Sequence, residues 1–147
     1  MSRLSLVFSL LLAVCATSVQ ALEFRSVKET GTLFYEAPNT GAKKLFVVSR
    51  YYPVEVITRQ GEWARVRDAA GGIAWVQLKD LQGARTLLVT ADKIAVRKAA
   101  NATSPVLFSV EKNGVLEWIE EPQSGWVKVK HRDGVEGYAP IESFWGL

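Results

Sequence analysis

From Thr32 onward, apolar residues alternate with polar ones in short runs rich in Val, Ile, Trp and Tyr, with Gly, Pro, Asn or charged residues between them. A period of two places alternate side chains on opposite faces, so each run predicts a half-buried β-strand. The pattern predicts strands over 32–35, 44–48, 54–59, 63–68 and 73–77. A second set falls over 93–97, 106–110, 116–120, 126–131 and 135–139. No segment carries a helical period, so the predicted fold class is all-β. Gly71-Gly72 and Asp133-Gly134 read as two-residue hairpin turns, since these residue types accept the positive φ of a tight primed turn.

The two sets of strands are copies of one another. Leu45-Phe46, Val48, Glu55 and Ile57 recur 62 positions later as Leu107-Phe108, Val110, Glu117 and Ile119. After one inserted residue near Pro122 the offset becomes 63, and Trp63, Val66 and Gly71 match Trp126, Val129 and Gly134. Internal repetition of this kind predicts two small units, 22–82 and 86–147, each of about five strands. Units of about 60 residues have marginal cores and exposed strand edges, which closure into a barrel relieves. The connection from Lys79 to Thr86 has one Gly and no Pro or Ser tract, so the barrels are expected to touch.

The first 21 residues stand apart from this pattern. Arg3, the apolar run from Leu4 to Val14 and the small-residue site Val19-Gln20-Ala21 have the layout of a secretory signal peptide cleaved after Ala21. An uncleaved N-terminal anchor is the alternative. Cleavage predicts a periplasmic or secreted protein and removes the only cysteine, Cys15, so no disulfide or thiolate chemistry is expected. Val14 is a poor residue before a lipidated cysteine. Removal of Arg3 lowers the formal charge from +3 to +2, with basic and acidic residues interleaved, which argues against nucleic acid as partner.

The repeated strand supplies the candidate chemistry. In Trp63-Ala64-Arg65-Val66-Arg67 and Trp126-Val127-Lys128-Val129-Lys130, parity assigns the apolar pair to the core. The Trp and the cations then share the outer face. An indole beside a cation suits a peptide, a sugar ring or an anionic group; the alternative is that a loop folds over each indole. Tyr51 and Tyr52, next to Pro53, are candidates for the same groove in the first copy, with Tyr35 as a further aromatic. Tyr138 and Pro140 are the candidates in the second. Trp118 and Trp145 read as interdomain or capping residues. No nucleophile with a base, paired carboxylates or metal cluster is recognisable, and the single histidine, His131, reads as a solvated turn residue, so neither catalysis, cofactor nor metal is expected.

These motifs resemble the bacterial Src-homology 3 (SH3) domains, specifically the exported tandem SH3-like proteins. Pro38-Asn39, Tyr52-Pro53-Val54-Glu55-Val56, the Trp63 strand and Ala74-Trp75-Val76 follow the family's order. So do Asn101, Asn113-Gly114-Val115-Leu116-Glu117, the Trp126 strand and Gly137-Tyr138-Ala139-Pro140. The first copy departs at Ala74 and Tyr52, where Gly is usual. The resemblance implies two tandem small SH3-like β-barrels forming a non-catalytic recognition module, with Trp63, Arg65, Tyr51, Tyr52, Trp126, Lys128, Tyr138 and Pro140 as ligand-binding candidates. Cell-wall peptidoglycan or its stem peptides are the expected partner. A protein adaptor for an envelope enzyme or assembly protein is the alternative, and a purely structural role a third. Polyproline binding is not expected, because no clear acidic loop accompanies Trp126 and Pro140.

Overall fold

The computed structural model describes residues 21–147, and the leader expected over residues 1–21 lies almost wholly outside them. The first repeat forms β1 (Glu23–Val27), β2 (Thr32–Tyr35), β3 (Lys44–Val48), β4 (Pro53–Gln60), β5 (Trp63–Arg67), β6 (Ile73–Gln77) and β7 (Leu81–Gln82). The second forms β8 (Thr86–Val89), β9 (Lys93–Arg97), β10 (Val106–Glu111), β11 (Val115–Gln123), β12 (Trp126–Lys130), β13 (Glu136–Pro140) and β14 (Phe144–Trp145). The fold is all-β apart from two single 3-10 turns, Leu78–Asp80 and Ile141–Ser143.

Each repeat makes one antiparallel sheet, in the orders β3-β2-β6-β5-β4-β1-β7 and β10-β9-β13-β12-β11-β8-β14. Its curvature originates in the long strand. β4 pairs with β1 through Pro53 to Val56 and with β5 from Glu55 to Gln60, and the register slips between Val56 and Thr58. β11 slips at the equivalent place, between Trp118 and Glu120. A bulge of this kind bends a strand and sharpens its twist, so each sheet rolls around its own core. Every strand of the first sheet contributes to one cluster, from Val27 through Phe34, Val48, Val56, Val66 and Val76 to Leu81. The second cluster is equally closed, from Leu87 through Val96, Leu116 and Val129 to Phe144.

Seven strands per sheet, rather than five, is the main correction to the pattern reading. β1 and β8 escaped it for different reasons. In Glu23-Phe24-Arg25-Ser26-Val27 the buried positions include Phe24 and Ser26 on the face away from the core, where Phe24 meets Trp145 and the Ser26 hydroxyl donates to the linker carbonyl of Ala84 at 2.7 Å, so alternation is lost. β8 is buried at all four positions and shows no alternation, because its second face is covered too. The two-strand edges β7 and β14 are too short to carry a period.

The hairpins joining β5 to β6 and β12 to β13 were placed correctly but have a different turn. Gly71 N–H bonds the Asp68 carbonyl while Asp68 N–H bonds the Gly72 carbonyl, and His131, Gly134 and Val135 repeat this. These bonds close three-residue loops in which only the last residue has positive φ, Gly71 at 86° and Gly134 at 95°. That is a type I turn with a glycine bulge, not a primed two-residue turn.

The connection between sheets shrinks to Gly83-Ala84-Arg85, because Leu78 to Gln82 belong to the first sheet. The barrels touch, as expected. Phe24 and Trp145 meet edge to face with centroids 5.1 Å apart, and the Thr86 hydroxyl donates to the Tyr51 carbonyl at 2.7 Å. The Arg85 guanidinium lies between the Phe24 ring at 5.3 Å and the Trp118 ring at 4.3 Å, and donates to the Gly146 carbonyl. Trp118 and Trp145 are thus seam residues.

Candidate functional site

Parity places the repeated strand as the sequence dictates. Ala64, Val66, Val127 and Val129 are buried, while Trp63 and Trp126 are half-buried on the opposite face. Neither indole is bare and neither is enclosed. What surrounds them differs between the barrels.

In the second barrel, β12 and β13 pair so that Trp126 lies opposite Pro140 and Lys128 opposite Tyr138. Alternation along the strands brings all four side chains to one face. Trp126 separates two depressions. One, of about 350 Å³, lies between the loop after β9 (Lys98, Ala99, Ala100) and the bulged end of β11 (Glu120, Glu121), with Trp126, Lys128 and Tyr138 beside them. The other, of about 540 Å³, contains Trp126 and Pro140 with Arg97 and Ala102. The loop after β9 and the acidic pair Glu120-Glu121 were not among the sequence candidates. Their signal was the residue inserted near Pro122, which extends β11 towards the groove.

Lys128 is not a free cation. Its ammonium contacts Glu120 Oε1 at 3.1 Å and Glu136 Oε2 at 3.5 Å. The bond to Glu120 and that carboxylate's charge hold its pKa above the usual lysine value, with a smaller effect from Tyr138. An anionic ligand would therefore have to displace a carboxylate. The first barrel is the reverse. Arg65 is exposed, with no carboxylate within ion-pairing distance among the described residues, and lies opposite Trp75, which in turn faces Tyr35. Tyr35, itself buried, meets Trp63 edge to face at 5.4 Å.

Tyr51 and Tyr52 do not join Trp63. They occupy the turn between β3 and β4, and their side chains diverge as adjacent residues should. Tyr52 packs on the first core beside Phe34; burial raises its pKa, reinforced by the charge of Asp68. Tyr51 is exposed and lines a cleft between the barrels. The aromatic row of the first barrel is Tyr35, Trp63 and Trp75, and Tyr51 and Tyr52 stand apart from it. Among the described residues no group of three His, Cys, Asp or Glu side chains is placed to hold a metal ion, and no helix is long and apolar enough to cross a membrane.

Two rolled antiparallel sheets, each with a half-buried Trp at the start of a central strand, make up a tandem of small β-barrels. The chain belongs to the bacterial SH3 domain family, whose profile matches residues 32–82 and again 92–143. No curated protein matches the chain significantly. Among solved structures the chain is similar to NlpC1 of Trichomonas vaginalis, at 14% identity with a TM-score of 0.36, over 88% of this chain and 47% of that one. NlpC2 of the same organism is similar at 14% identity and a TM-score of 0.37, over 87% and 49%. The chain thus spans about half the length of these two proteins.

Proposed function

We propose that this protein is an exported, non-catalytic binding module that recognises cell-wall peptidoglycan through its stem peptides, with the Trp126 groove of the second barrel as the main contact. One observation carries this reading. Trp126 stands between two depressions, and one of them holds the acidic pair Glu120-Glu121 together with Lys98, which has no carboxylate within ion-pairing distance among the described residues, and Lys128, which is paired with Glu120. A short peptide bearing both amine and carboxylate groups finds a partner for each there, and the indole offers a flat apolar surface for its aliphatic part. Recognition of cell-wall or envelope components is the role that membership of the family suggests. Export rests on the signal-peptide layout of residues 1–21.

Incubation with purified sacculi tests this proposal. The protein is expected to sediment with them and to bind soluble stem peptides, and Trp126→Ala combined with Trp63→Ala to lose stem-peptide binding while keeping its β circular dichroism. Stem-peptide binding by the double variant would remove the Trp faces from the account.

A protein adaptor is the second reading, favoured by the edge strands. β3 leaves Leu45, Phe46 and Val47 exposed at the end of its sheet, and β10 leaves Val106 and Leu107 exposed at the same place in the other. Unpaired apolar edges can accept a further strand. Recovery of one stoichiometric envelope protein, with no binding to sacculi, would favour this reading over the first.

A further inference from the structure

Tyr51 and Asn113 occupy the same place in the two repeats and make the same bonds. Tyr51 N–H donates to the Val27 carbonyl at 2.8 Å and Asn113 N–H to the Val89 carbonyl at 2.9 Å. Both residues are left-handed, with φ of 71° and 69°. Asn tolerates that conformation, whereas a bulky aromatic residue there is an outlier held by its surroundings. Strain of this kind concentrates at functional sites. The ring it presents is exposed and lies at the mouth of the cleft between the barrels.

That cleft encloses about 570 Å³, within the usual range for a small-ligand site. Beyond Tyr51 its wall comes from the second barrel: Thr86 of β8, Val115 and Glu117 of β11, Lys130 at the end of β12, the 131–134 turn and Glu136. Donors and acceptors alternate along it. Lys130 and Glu117 are paired at 3.3 Å and His131 and Asp133 at 3.0 Å, while Arg132 has no carboxylate within ion-pairing distance among the described residues. The positive and negative side chains nearly cancel, so the cleft has little net pull on an ion. Tyr51 and Val115 are the apolar side chains among its lining residues, and charged or polar groups make up most of the rest. Arg50 covers one face of the Tyr51 ring at 4.8 Å, leaving the other for a ligand.

A neutral, hydroxyl-rich ligand with one apolar face satisfies all of these features. Adjacent sugar hydroxyls both donate and accept, matching planar carboxylate and guanidinium groups, and the C–H face of a pyranose lies flat on an aromatic ring. We infer that the cleft between the barrels is a saccharide-binding site, with Tyr51 as its platform and Arg132, Asp133 and Glu136 as its hydrogen-bonding wall. The site is separate from the Trp126 groove and does not depend on how that groove is used.

Titration of the isotope-labelled protein with the β-1,4-linked tetramer of N-acetylglucosamine, followed by amide chemical shifts, tests the inference. Shifts are expected at Tyr51, Arg132 and Glu136. Tyr51→Asn copies the residue of the second repeat, so it is expected to fold and to melt no lower than the wild type, yet to bind at least about tenfold more weakly. Trp126→Ala is expected to bind the tetramer as the wild type does. Two results would overturn the inference: no shifts in the cleft, or a folded Tyr51→Asn protein with undiminished binding. Neither would bear on binding of soluble stem peptides at Trp126, so the two proposals fail separately.

Discussion

The Arg85 guanidinium lies 4.3 Å from the centre of the Trp118 ring, and the Arg85 carbonyl accepts the Trp118 N–H at 3.1 Å. The linker is therefore bound to the second barrel by both backbone and side chain. Burial lowers the Arg85 pKa, partly offset by the charge of Glu121, but guanidinium stays charged throughout the accessible range. Its Nε is buried without a hydrogen-bond partner, so the aromatic faces and the Gly146 carbonyl carry its stabilisation. Arg85→Ala is expected to destabilise the protein by about 1–3 kcal/mol, from the lost cation–π contacts and hydrogen bond. Thermal unfolding monitored by tryptophan fluorescence checks this, and an unchanged midpoint would show that Arg85 does not hold the seam.

Trp145 closes the other side of the same seam against Phe24. Its replacement by Ala removes an edge-to-face pair worth about 0.5–1.5 kcal/mol beyond the buried area. The melting midpoint is expected to fall by several degrees while binding to sacculi is unchanged, as melting curves and sedimentation with sacculi would show.

Gly137 marks a difference between the copies that can be tested by exchange. A Cβ at Gly137 would lie 2.7 Å from the Arg97 carbonyl and 2.7 Å from Val96 Cγ1, so β9 and β13 approach too closely for a methyl group. The first barrel has Ala74 there, and it is buried without difficulty. Gly137→Ala is expected to cost about 1–3 kcal/mol through overpacking, whereas Ala74→Gly costs only about 1 kcal/mol through backbone freedom. Urea unfolding of both variants compares the two.

Tyr52 makes stability fall at alkaline pH. Its hydroxyl ionises at 10.0 in an ordinary setting and higher in the folded protein, because burial opposes the phenolate and Asp68 adds to that effect. Between those values the unfolded chain has released the proton and the folded chain has kept it. Stability is thus full below pH 10 and declines as pH rises towards the folded value. Tyr52→Phe is expected to flatten this decline, visible as a smaller drop in urea midpoint between pH 9 and pH 11.

Ten strands were legible because alternation survives wherever one face is buried and the other wet. It failed for β8, where the second face is buried too, and for β1, where Phe24 and Ser26 are buried away from the core against Trp145 and the linker. The pairing of Trp126 with Pro140 and Lys128 with Tyr138 was not legible, since a two-residue turn at Asp133-Gly134 puts Lys128 opposite Ala139, and the extra loop residue shifts the register by one. The positions of Tyr51 and Tyr52 could not follow from alternation alone. The left-handed backbone at Tyr51 turns one ring towards the second barrel, and only the repeat equivalent, Asn113-Gly114, carried a sequence trace of that turn.

The three-residue connection, anchored on both sides by Phe24, Arg85, Trp118 and Trp145, also has a consequence for avidity. When one barrel engages a polymer, the other is held at a set distance from the next repeating unit. Its binding becomes intramolecular, with an effective concentration in the millimolar range where the spacings match and close to zero where they do not. On the proposed reading of a cell-wall ligand, the seam would act as a ruler, favouring a polymer of one period over a loose fragment of the same chemistry.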